Sequence, residues 1–109
     1  MKQDAPYAMH ILDAIAAIRK FCNGCTKKEF ISNEMMREAV VRKLEIIGEA
    51  SKRLSRDFKE NASAPWQAIA GMCDKLIHGY AGVDYGIVWE VVKKDLPTLE
   101  EAVKKALKK

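Results

Sequence analysis

The chain predicts an all-α fold: a bundle of four main helices with a short extra helix and a kinked last one. Apolar residues recur at intervals of three and four along most of its 109 residues, which is the period of one helix face. Helix-starting residues (Asp4, Thr26, Asn33, Asp84) and helix-ending glycines (Gly24, Gly79, Gly82) fall between those periodic runs. Valines and isoleucines do cluster at 87–92, but neither period-two alternation nor a hairpin turn supports a strand there.

Each element follows from its own residues. Asp4 is placed to cap the first helix, with Pro6 in its first turn, where a missing N–H costs nothing. Met9, Leu12, Ile15, Ile18 and Phe21 or Cys22 mark its buried face, and Gly24 closes it. Thr26 followed by Glu29 makes a capping box for a short helix through Phe30 and Ile31. Asn33 caps the long second helix, which carries Met36, Val40, Leu44, Ile47, Leu54 and Phe58 on one broad face until the polar KENAS run ends it. Pro65 and Trp66 open the third helix, through Ile69, Met72 and Leu76 to Gly79. Asp84 caps the fourth, in which Pro97 removes a backbone donor and predicts a kink or restart near Asp95.

Composition bounds the function. Apolar residues make up 49% and charged residues 31%, a globular balance rather than a disordered one. No stretch approaches the ~20 apolar residues of a membrane span, and the opening MKQDAPYAMH lacks a signal peptide's apolar core, so a cytoplasmic protein with no membrane partner is expected. The net charge is +4, but Lys104, Lys105, Lys108 and Lys109 supply all of it, so charge alone is a weak pointer to nucleic acid. Three cysteines make a disulfide framework unlikely on arithmetic. Cys22 and Cys25 have redox-motif spacing, but they follow a helix instead of preceding one. A zinc site would have to recruit Cys73 and His10 or His78, none of which shows paired ligand spacing. Reduced structural thiols, with no metal and no cofactor, are the expectation.

The second helix carries a charged face of Glu38, Arg42, Glu45, Glu49 and Arg53. Glu38 with Arg42, and Glu49 with Arg53, stand at ion-pair spacing. Either this is an exposed salt-bridged stripe or Arg42 faces a partner or a phosphate. Gly48, inside so good a helix, costs about 1 kcal/mol against alanine and points to a close helix crossing, within the chain or across a dimer interface.

The stretch GMCDKLIHGY, residues 71–80, concentrates chemistry at the end of the third helix. Asp74 and His78 are four apart and share a face, so the carboxylate can hold one imidazole nitrogen and leave the other to exchange a proton with substrate. Cys73 and Tyr80 share a neighbouring face. A structural histidine that is simply hydrogen-bonded fits the same spacing.

The run GMCDKLIHGYAGVDYGIVW, preceded by APWQAIA and VVRKLEIIGEASKRL, resembles the HepT family of HEPN-domain toxins over essentially the whole chain. That family's signature is an arginine, four residues beginning with a polar one, a histidine, any residue, then a tyrosine. Asp74, His78 and Tyr80 match it. The resemblance implies an HEPN-like four-helix up-and-down bundle formed by residues 1–109 as one domain, acting as a metal-independent endoribonuclease on RNA. It implies a homodimer whose two motifs meet across the interface, and a nucleotidyltransferase antitoxin of the MNT type as partner. His78 would assist attack of the ribose 2'-hydroxyl on the adjacent phosphate. Tyr80 would be the residue that the antitoxin adenylylates, placing negative charge where RNA phosphate must sit.

One position departs: Cys73 stands where the signature has arginine. A thiol lacks the fixed charge and the bidentate donors that an arginine offers a phosphorane. Two readings therefore stay open: a ribonuclease toxin of reduced activity, which is either disarmed by the cysteine or borrows a cation such as Lys75 or Arg42, or a non-catalytic HEPN subunit that binds a nucleotidyltransferase.

Overall fold

A computed structural model of the chain describes residues 2–78 and 82–108, the side chains of Lys2, Ile77 and His78 excepted. The described residues form helices and no strand: α1 (Ala5–Phe21), α2 (Lys27–Ser32), α3 (Glu34–Arg53), α4 (Arg56–Asn61), α5 (Trp66–His78), α6 (Tyr85–Glu90) and α7 (Leu96–Leu107), the last two joined by a π-helical turn at Val91–Asp95. The all-α, HEPN-like bundle predicted from the sequence is what forms.

Local capping accounts for most boundaries. The Thr26 hydroxyl accepts from the Glu29 N–H at 3.1 Å while the Glu29 carboxylate accepts from the Thr26 N–H at 2.9 Å, completing the capping box of α2. Asn33 accepts from the Met36 N–H at 3.0 Å, and Asp84 from the N–H groups of Gly86 and Ile87. Pro97 lies in the first turn of α7. Ahead of it the ladder widens, and the Leu96 N–H bonds the Val91 carbonyl five residues back, so the donor that proline lacks is absorbed by a π turn.

Asp4 behaves differently from expectation. Its backbone is helical and its side chain makes no cap bond to α1. The carboxylate is 3% exposed and instead accepts from both the backbone N–H and the hydroxyl of Ser55, each at 2.7 Å. Ser55 in turn accepts from the Phe58 N–H at 3.1 Å, capping α4. The second helix is therefore not continuous to Phe58: Leu54 and Ser55 are extended and break it. An N-cap with its own buried partner outweighs one more turn of helix. Since the start of α1 touches the residue beyond the end of α3, these two helices run antiparallel.

The core runs through Ala8, Ile11, Ile15 and Ile18 of α1, Val40, Leu44 and Ile47 of α3, and Leu99 and Val103 of α7. Of the α1 face read from the sequence, Ile15 and Ile18 are buried, Leu12 packs against the core and Cys22 is the one of the pair 21/22 that lies inside, whereas Met9 is 47% exposed and Ala8 and Ile11 fill the core in its place. The short helices are pinned by one large side chain each. Phe58 anchors α4, and Phe30 of α2 is fully buried with its ring 5.3 Å from that of Trp89, tying α2 to α6. Burying a phenylalanine contributes about 1.5–3 kcal/mol.

Candidate functional site

The start of α5 is fixed by Trp66, whose indole N–H donates to the carbonyls of Ala62 at 2.9 Å and Lys59 at 3.2 Å. From that anchor the helix crosses α3 at Gly48. A Cβ placed on Gly48 would stand 2.5 Å from the Cβ of Cys73 and 2.9 Å from its sulfur, so only glycine permits the approach. The close crossing expected of Gly48 is thus made inside the chain, to α5.

Cys73 is fully buried, and its thiol donates to the Leu44 carbonyl at 3.0 Å. Burial, followed by the Asp74 charge, pushes this thiol up to about 11, against a smaller opposing effect of the Gly48 backbone and Lys52. It is a neutral, hydrogen-bonded thiol near neutral pH. It can neither stabilise negative charge as a cation nor act as a ready nucleophile.

Asp74 is half-exposed and accepts from the Lys52 ammonium at 2.9 Å, across the α3–α5 crossing. The same contact raises the Lys52 pKa. The helical spacing allows this carboxylate to hold the His78 imidazole. The backbone does put Asp74 and His78 four apart on α5, but the imidazole is outside the described side chains, and the partner seen for Asp74 is Lys52. Tyr80 lies outside the described residues. Lys52 was missed because its link to position 74 is a cross-helix contact with no signature in local spacing.

The expected pairs of the charged face also rearrange. Arg42 reaches Glu45 at 3.6 Å in place of Glu38, and the Arg53 guanidinium lies over the Tyr7 ring at 6.0 Å in place of pairing with Glu49. Arg37, not singled out from the sequence, donates to the Ile31 carbonyl and stacks on Tyr85 at 4.5 Å, fastening α3 to the start of α6.

Beside the motif, a cleft of about 870 Å³ opens between α5 and α6. Met72, Leu76, Val83 and Ile87 supply its apolar wall, and Asp74 and Lys75 its polar rim. Ile87 is 58% exposed, so an apolar surface continues out of the cleft. Of the two cations proposed to stand in for the signature arginine, Lys75 lines this cleft, whereas Arg42 is engaged with Glu45.

A bundle of packed helices, with α1 and α3 antiparallel and no strand among the described residues, is an all-α, HEPN-like fold. The family model "Ribonuclease HepT-like" matches residues 11–106, and the chain belongs to that ribonuclease family. A protein named "Putative RNase" from Caldanaerobacter subterraneus subsp. tengcongensis is 46% identical over 110 residues, covering 100% of this chain and 98% of the relative. One named "Probable ribonuclease HepT" from Thermococcus cleftensis is 42% identical over 103 residues, covering 94% of each. A further "Putative RNase" of Methanocaldococcus jannaschii is 42% identical over 94 residues, covering 85% of this chain and 86% of the relative. No solved structure gives a significant match.

Proposed function

We propose that this chain is a HepT-like toxin, an endoribonuclease working without a metal ion, whose activity is held down by Cys73. His78 takes the proton of a ribose 2'-hydroxyl as its oxygen attacks the adjacent phosphorus, and the 5'-oxygen leaves with a proton returned by the protonated imidazole. Two copies pair so that both motifs face one cleft, with the apolar surface at Ile87 available for the contact. A nucleotidyltransferase antitoxin neutralises the toxin by adenylylating Tyr80.

The observation that carries the reduced activity is the state of Cys73, a buried neutral thiol bonded to Leu44 at the signature arginine position. Losing one charge-stabilising donor costs ~3–4 kcal/mol in the transition state, about 10²–10³ in rate. The test is RNA cleavage by the chain and by Cys73→Arg side by side. Cleavage should rise about 10²-fold or more in the variant and disappear when His78→Ala is added. An unchanged rate in correctly folded Cys73→Arg favours the second reading, a non-catalytic subunit that binds a nucleotidyltransferase, which the same buried thiol also supports.

A further inference from the structure

Cys22 and Cys25 take no part in the reading above, yet one closed turn joins them. Cys22 ends α1 and is 3% exposed, while Cys25 is half-buried three residues on. The Cys25 N–H donates to the Cys22 carbonyl at 3.0 Å, and Gly24 adopts φ +72° to close that turn. A turn closed in this way holds its end Cα atoms within about 7 Å, and disulfides span about 4.4–6.8 Å between Cα atoms. Both thiols are free.

The surroundings differ from those of Cys73. Gly24 and Asn23 are exposed, and nothing stands within 4 Å of the open side of Gly24. Cys22 borders a pocket of about 210 Å³ that Asn23, Gly24, Arg19 and Lys93 also line. The Lys93 charge favours the Cys22 thiolate, although burial and the neighbouring Cys25 hold the thiol up overall. Cys25 is the more accessible sulfur, donating to the Thr26 carbonyl at 3.3 Å and touching the Met36 sulfur at 3.5 Å.

We propose that Cys22 and Cys25 are a reversible dithiol pair, oxidised to an intramolecular disulfide by small anionic disulfides of the glutathione class. The Cys25 thiolate attacks one sulfur of the small disulfide, and one thiolate leaves. The Cys22 thiolate then attacks the Cys25 sulfur of the mixed disulfide and expels the second. Two protein thiols lose two protons and two electrons, and the small disulfide gains them as two thiols. The bridge draws Cys25 away from Met36 and Thr26, so the oxidation state is felt where α2 meets α3.

The experiment treats the fully reduced chain with oxidised glutathione in native, mildly alkaline buffer and reads intact mass and peptide maps. The expected product has lost the mass of two hydrogens, links Cys22 to Cys25, leaves Cys73 unmodified as a sign that the fold stayed closed, and reverts with a dithiol reductant. Cys22→Ala should stop at one glutathione on Cys25, and Cys25→Ala should form no bridge. An unchanged mass, a lasting glutathione adduct on the unsubstituted chain, or a bridge that uses Cys73 overturns the proposal. None of these readings depends on ribonuclease activity.

Discussion

Gly48 and Cys73 touch backbone to side chain: any Cβ on Gly48 would lie 2.5 Å from the Cys73 Cβ. Helices α3 and α5 therefore meet at a distance that only a glycine allows. Cys73 is held at the centre of that contact.

Gly48→Ala should destabilise the chain by about 1–3 kcal/mol, because overpacking outweighs the ~1 kcal/mol that alanine gains in a helix. Urea unfolding measures it. Cys73→Ala should rescue the variant only in part, since it removes the sulfur at 2.9 Å but keeps the Cβ at 2.5 Å. A Gly48→Ala chain as stable as the parent would show that the helices separate freely.

The buried Cys73 thiol predicts an alkaline weakness. Its folded value, up to about 11, lies above the ~8.5 of an unfolded cysteine, so the folded state retains a proton that the unfolded state gives up. Stability from this group is complete below about pH 8.5 and declines as pH rises towards 11. Unfolding free energies at neutral and alkaline pH should decline more steeply in the parent than in Cys73→Ala, which keeps only the smaller contribution of the Cys22 thiol. In the folded chain, iodoacetamide should label Cys25 well before Cys73.

Asp4 and Ser55 should act as one unit. Asp4→Ala removes two 2.7 Å bonds from a buried carboxylate and should cost about 1–3 kcal/mol. Ser55→Ala loses the α4 cap and leaves Asp4 short of a partner, at a comparable cost. The double variant should be clearly less damaged than the sum of the two, which thermal unfolding of all four chains can establish. Additive effects would mean that the clamp is not a shared interaction.

The proposed regulation predicts that the cognate nucleotidyltransferase with ATP and magnesium adds adenylate mass to this chain. Tyr80→Phe should remove most of that addition. Modification at full level in Tyr80→Phe would place the acceptor at another residue.

What the sequence determined by itself is the part of the fold set by neighbours along the chain. The Thr26–Glu29 box, the Asn33 and Asp84 caps, the end of α1 before Gly24 and the restart at Pro97 all depend on bonds between residues within about five positions, and each is legible as a short pattern. The family resemblance was equally legible, because it lies in ordered blocks of residues. Tertiary structure decided everything that depends on how one helix is turned against another. Asp4 has the composition of a cap, but the approach of α3's end gave its carboxylate a better donor pair in Ser55, and that contact broke the second helix at Leu54. Asp74 accepts from the Lys52 ammonium across the α3–α5 crossing, a contact that no local spacing announces. Gly48 in mid-helix points to a close approach; only the packed bundle shows that what it admits is Cys73, whose thiol is kept neutral by burial.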